Sequence, residues 1–266
     1  MRRAQIEGIG KAQALARAVI LEVAATVRPG ASERAIAGRI EARLAKAGVK
    51  HWLHTAYAWW GERTRFGGFG TWEVDALPTA RALQDGEPFI LDVAPLVAGY
   101  PADFAFSGIA GEKDTVHREV LAELAALKRA LVGWAREAAT GGALCERVDA
   151  AVRAHGREVV HTGYPAQVLA HSFEGFPNLL GLAPRLGSGF QVPLLFTSAA
   201  QLLGHQLLGR PYPFLNAHSP SAPQGLYAVE PHLAQGDLGA KFESVLLVDG
   251  DETRWLDPEL YGEVVG

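Results

Sequence analysis

Apolar positions along the chain keep two rhythms. Ile6, Ile9, Leu15, Val19 and Val23 recur at helical spacing, which predicts an opening amphipathic helix ended by Pro29-Gly30. Ser32 can cap a second helix, with Ile36, Ile40 and Leu44 on one face and Gly48 closing it. Val116, Val120, Leu124, Leu127 and Leu131 predict a third helix; Leu144, Val148 and Val152 predict a fourth. Elsewhere the period is two. Phe89, Leu91 and Val93 alternate with Ile90 and Asp92, the pattern of a strand, and Phe104 and Phe106 repeat it after Asp103. Leu246, Leu247 and Val248 continue a strand near the end of the chain. Helices packed on a sheet, an α+β architecture, follow from this order of elements.

Two of the predicted strand pairs carry acids among apolar neighbours: Leu91-Asp92-Val93 with Ala102-Asp103-Phe104, and Val229-Glu230-Pro231 with Phe242-Glu243-Ser244. Gly99-Tyr100-Pro101 offers turn chemistry between the first two, and a hairpin centred between Val97 and Ala98 would set Asp92 opposite Asp103. Gln235-Gly236-Asp237-Leu238 reads as a two-residue turn that would set Glu230 opposite Glu243. Opposed like charges destabilise a strand pair, and a buried charge without a partner is costly. Such carboxylates need cations, and two divalent ions are the simplest supply. His171 follows the apolar Gln167-Val168-Leu169. By itself it reads as a hydrogen-bonded structural histidine or as a ligand. Oxygen donors with one imidazole suit Mn, Co, Fe or Zn.

Composition narrows the partners. With 48% hydrophobic and 20% charged residues, 266 residues can bury a sizeable core, read as a single domain over 1–266. A net charge of -4 gives no footprint for nucleic acid. Arg2 and Arg3 mimic the start of a secretion signal, but Glu7, Lys11, Arg17 and Glu22 interrupt the apolar run, and nothing approaches a membrane span. The lone Cys145 excludes an intrachain disulfide and reads as a buried spectator. A cytoplasmic protein acting on a small peptide or small molecule is expected, with no nucleic acid or membrane partner; a homodimer is compatible with it.

Other features stay open on the residues alone. The aromatic stretch from His51 to Trp72 is either core edge or the wall of a substrate pocket. Arg63 within it is either a surface pair or a bidentate receiver for a substrate carboxylate. The stretch 178–224 has no clean period and reads as a functional loop or an oligomer contact; His205 and His218 within it read as loop residues. His232 shares the strand face of Glu230 if Pro231 leaves the strand straight. Asp249 and Asp251 read as solvated turn acids. Gly187-Ser188-Gly189 lacks the lysine and hydroxyl of a phosphate loop.

Several of these segments together resemble the pita-bread metallopeptidases, which include methionine aminopeptidase, Xaa-Pro aminopeptidase and prolidase. The resemblance runs from Lys11-Ala12-Gln13 through Val27-Arg28-Pro29-Gly30, Gly61-Glu62-Arg63-Thr64, Asp92 and Asp103 to Glu230 and Glu243. It implies a pita-bread fold, a curved antiparallel sheet with helices on its outer face, without the N-terminal domain of the larger Xaa-Pro enzymes. It implies two divalent ions, with Asp92 chelating one, Asp103 and Glu243 bridging, and His171 and Glu230 on the other. It also implies a metal-bridged hydroxide as nucleophile and Glu230 as proton shuttle, with His171 beside it in the catalytic set. An Xaa-Pro aminopeptidase or dipeptidase is the expected activity. A same-fold enzyme acting on a non-peptide small molecule, like creatinase or a lyase, is the alternative, and a metal-free binding module is the third reading. The chain departs from the family at three points. Leu169-Ala170-His171-Ser172-Phe173 replaces a glycine-rich run around the histidine, and Asn178 stands where a second, substrate-contacting histidine follows. His232 stands where glycine is usual. For the family's N-terminal substrate histidine, His51 and His54 are the candidates. Arg63, Asn178 and His232 are carried as substrate residues.

Overall fold

The computed structural model describes residues 3–67, 69, 72–112, 114–173, 212–250 and 252–257. Asn178, His205, Asp251 and Gly187-Ser188-Gly189 lie outside those residues, as does most of 178–224. Helices α1 (Arg3–Ala24), α2 (Glu33–Lys46), α3 (Trp72–Asp75), α4 (Thr115–Glu137) and α5 (Gly141–Ala154) surround the strands. The strands are β1 (His51–Trp60), β2 (Pro88–Val97), β3 (Tyr100–Pro101), β4 (Phe104–Ile109), β5 (Glu158–Val159) and β6 (Ala170–Ser172). They continue with β7 (Phe214–Leu215), β8 (Gly225–Val229), β9 (His232–Gln235), β10 (Leu238–Lys241), β11 (Ser244–Asp249) and β12 (Glu252–Trp255). Every ladder among the described residues is antiparallel. No helix among the described residues is long and apolar enough to cross a membrane.

The four helices read from periodicity are present. Ser32 and Asp114 cap α2 and α4 by accepting from Ala35 and His117 N–H groups, which would otherwise be orphaned. The buried stripe of α1 is richer in small and polar residues than the apolar period suggests: Ala12, Gln13 and Ala16 lie fully buried beside Ile9, Val19, Ile20 and Val23. Small side chains let α1 approach β2 and β4 closely. The aromatic stretch resolves as core: Trp52, Tyr57, Trp59, Trp60 and Phe66 are buried, with Trp60 edge-on to Phe89 and Trp59 edge-on to Phe66. Burying side chains of this size contributes about 1.5–3 kcal/mol each. Cys145 is buried, and burial pushes its thiol up to about 12, so it stays protonated.

Register decides which acids meet. The first hairpin differs from expectation. Its turn is Ala98-Gly99, with φ of +50° and +85°, and Val97 pairs with Tyr100. Asp92 therefore faces Ala105, not Asp103, and Asp103 lies in the gap between β3 and β4. Two adjacent left-handed residues form the turn that matches strand twist, and centring the hairpin on them moves each cross-strand partner by two residues. Direct opposition of like charges is thereby avoided. The second hairpin keeps the expected register: Leu238 pairs with Gln235, Lys241 with His232 and Ser244 with Val229. Glu230 and Glu243 fall opposite each other in the break between those ladders.

Candidate metal centre

One row of residues crosses the sheets at this break. Tyr57 of β1 pairs with Asp92 of β2, and Asp92 with Ala105 of β4. Ala105 then exchanges both backbone hydrogen bonds with Glu243, at 3.3 and 3.2 Å. Beyond Glu243 the register leads to Glu230, whose N–H donates to the Leu169 carbonyl at 2.9 Å. His171 lies two residues further along β6, against Ala228. Five residues spread over 152 positions of sequence are thus brought to one place by strand pairing, and Asp92, Asp103, Glu230 and Glu243 are all buried.

A backbone clamp fixes Asp103. The Gln13 amide of α1 donates to the Asp103 carbonyl at 2.7 Å and accepts from the Asp103 N–H at 3.0 Å. It does for Asp103 what a neighbouring strand would do, in the gap where the ladder is interrupted. Ser107 does the same for Lys241, donating to its carbonyl and accepting from its N–H at 2.7 and 2.9 Å.

Lys241 is the residue that sequence reading missed. Its Nζ donates to Asp92 Oδ2 at 2.9 Å, Glu230 Oε2 at 2.8 Å and Glu243 Oε2 at 3.0 Å. Alternation along β10 supplied a signal, since a lysine two residues before Glu243 falls on the same face. One ammonium therefore answers part of the negative charge from within the chain. It takes one oxygen from each of three carboxylates and leaves the others. Those carboxylates outweigh burial and hold the ammonium well above its usual range.

The remaining donors form two triads. His171 Nε2 lies 3.2 Å from Asp103 Oδ2 and 3.6 Å from Glu243 Oε1. His54 Nε2 lies 3.7 Å from Asp92 Oδ1 and 3.6 Å from Asp103 Oδ1. Asp103 belongs to both, one oxygen in each. Asp92 Oδ1 and Asp103 Oδ1 are buried with no hydrogen-bond partner. Two buried acceptors left without donors suit a cation as their partner. Donors about 2.1 Å from a shared ion stand about 3.0–3.4 Å apart at octahedral or tetrahedral angles; the 3.2–3.7 Å separations here need close by only a few tenths of an ångström around one. The residues present fit divalent metal.

Without ions the electrostatics are strained. Burial lowers the His171 and His54 imidazoles, but the adjacent carboxylates outweigh it and hold them at about 10 and about 9. Burial, then repulsion from Glu243, pushes Glu230 up to about 8.

The substrate expectations fare differently. Arg63 donates to Glu33 Oε1 at 2.9 Å and to the Asp75 and Leu77 carbonyls at 3.0 Å. It serves the buried Glu33, which also accepts from Trp60 and Thr79. His232 lies across from Lys241 with its Nδ1 2.7 Å from the Tyr164 hydroxyl. Tyr164 in turn lies under the Lys241 ammonium, 5.7 Å from its ring centroid. Burial, then the Lys241 charge, holds His232 well below the usual imidazole range, so it is neutral. It supports the centre from behind. His218 is exposed, in keeping with a loop residue.

The sequence matches the profile of metallopeptidase family M24 over residues 7–249. No curated protein sequence matches it. Among solved structures it is similar to an X-Pro aminopeptidase from Thermotoga maritima, with a TM-score of 0.70 at 17% identity, covering 96% of this chain and 61% of that one. It is similar to the prolidase from Pyrococcus horikoshii OT3, with a TM-score of 0.72 at 14% identity, covering 100% and 65%. A methionine aminopeptidase from Thermotoga maritima gives 0.64 at 16% identity, covering 97% and 98%. This chain spans about three fifths of the first two. At such identities the likeness speaks to the pita-bread fold.

Proposed function

The chain belongs to metallopeptidase family M24, and from that premise we propose that it is a hydrolase working with two divalent ions on peptides, an Xaa-Pro aminopeptidase or dipeptidase. One observation carries the reading: two three-donor clusters share Asp103 through different oxygens, beside buried acceptors that lack partners. Asp92, Asp103, His171, Glu230 and Glu243 would hold the ions. Divalent ions there would supply Lewis acidity, acidifying water and polarising a carbonyl.

The chain's own groups supply the rest. Glu230 is the most accessible of the four carboxylates, which suits it to take a proton and pass it on. Its Oε2 is fixed by Lys241, which leaves Oε1 as the atom to hold the proton and pass it to a leaving amine. Lys241 also orients Asp92 and Glu243 by their outer oxygens, and Gln13 holds the Asp103 backbone. The neighbours named as prolidase and X-Pro aminopeptidase support a substrate of that class.

Metal analysis of the purified protein, with a panel of Xaa-Pro dipeptides and longer N-terminal peptides under added Mn or Co, tests this. Two ions per chain and turnover of Xaa-Pro bonds are expected. No bound metal would remove the hydrolase reading. Two ions with no peptide turnover would point to a non-peptide small molecule.

A further inference from the structure

His54 is absent from the ligand set that the acidic hairpins suggest, yet it is as buried as they are, at 7% exposure. Its placement has a backbone cause. Along β1, His54 pairs with Ala94 and Tyr57 with Asp92, so three steps on one strand match two on the other. This is a bulge. In a regular strand positions 54 and 57 would face opposite sides; the extra residue brings both to the face of Asp92. The two rings then stack, with centroids 4.8 Å apart.

The ring is also turned for a purpose. Its Nδ1 lies 2.8 Å from the Thr55 carbonyl. A carbonyl only accepts, so Nδ1 carries hydrogen, and the neutral ring presents its lone pair at Nε2. A histidine whose second nitrogen donates to a backbone carbonyl has the arrangement of a metal ligand. Nε2 faces Asp92 Oδ1 and Asp103 Oδ1 at 3.7 and 3.6 Å, too far for hydrogen bonds, and neither oxygen has another partner. Three donors thus surround a point none of them fills.

We propose that His54 is a metal ligand, the nitrogen donor for the ion held by Asp92 and Asp103. This deepens the two-ion reading above and rests on it. Each ion then has one imidazole, His54 on one side and His171 on the other. A second nitrogen donor shifts preference toward Zn, Co or Fe and away from Mg and Mn.

The test is Co(II) titration of the full chain, followed by calorimetry and visible absorption, on wild type, His54→Ala and His171→Ala. Far-ultraviolet circular dichroism checks that each variant is folded. His54→Ala is expected to weaken one of the Co(II) sites by about 100-fold or more, beyond the 10- to 100-fold that an outer-shell partner costs. His171→Ala should weaken the other. X-ray absorption of the Co-loaded wild type, which needs no variant, should count one imidazole per ion. Unchanged Co(II) affinities in folded His54→Ala, with only KM altered, would make His54 a substrate contact and overturn this inference alone. A count of half an imidazole per ion would do the same. Wild type that binds no Co(II) would overturn this inference and the hydrolase reading together.

Discussion

Single side chains here are held by partners that a sequence does not show. Gln13 is the clearest. Its amide is fully buried and spent on both backbone groups of Asp103. Gln13→Leu would leave two buried backbone groups unpaired, at about 1–3 kcal/mol each. A fall in the urea midpoint is expected, together with weaker metal binding. Equal midpoints would mean that water replaces the amide. Asp103→Ala removes the carboxylate common to both triads, so metal content should fall to background and activity with it. Retained metal would contradict the bridging role. Titration gives a third expectation, for the chelated protein. The carboxylates hold His54 at about 9 and His171 at about 10 against an ordinary 6.5, and Glu230 stands at about 8 against 4.5. In each case the folded state keeps protons that the unfolded chain has released. The histidine contribution is complete below pH 6.5 and is lost as pH rises through about 9 to 10; Glu230 acts in the same sense up to about 8. The metal-free protein should therefore lose stability steadily from pH 7 to 10 in denaturant titrations. A flat profile would mean that these groups are not charged as described.

Elements were legible wherever one period persisted. Four helices and the second hairpin follow from spacing and turn residues because their registers are set locally. The first hairpin does not. Setting Asp92 opposite Asp103 centres the turn between Val97 and Ala98, but the chain turns one residue later, on Ala98-Gly99. Ala98 accepts a left-handed conformation there, which costs an L-residue about 1–2 kcal/mol. Pairing of β2 with β4 and of Ala105 with Glu243 compensates for it. Ala98 is exposed, so Ala98→Asn should relieve the strain and raise the melting temperature by a few degrees. A lower melting temperature would mean that the turn has another shape. The β1 bulge was likewise invisible, because a bulge leaves no compositional mark in a stretch as aromatic as His51 to Trp60.

At the scale of the molecule, ligand and fold stabilise each other. Without ions the four buried carboxylates are answered only by Lys241 and by protons held on His54, His171 and Glu230; ions that displace those protons and bind only the folded state should raise its stability, by about 2.7 kcal/mol at one hundred times their apparent dissociation constant. Thermal melts with and without chelator would show it, and coincident melts would argue against a metal centre. The sequence by itself determined that this chain is α+β, that acids stand in pairs inside apolar strands, and that such acids need cations. Those conclusions follow from local periodicity and from the cost of burying charge. Tertiary structure alone decided that Lys241 supplies one of those cations, that Gln13 and Ser107 hold the backbone where ladders break, and that His54 and His171 meet at Asp103 from opposite sides. Each depends on which strands become neighbours and in what register, a long-range choice made by packing, with no trace in the spacing of residues along the chain.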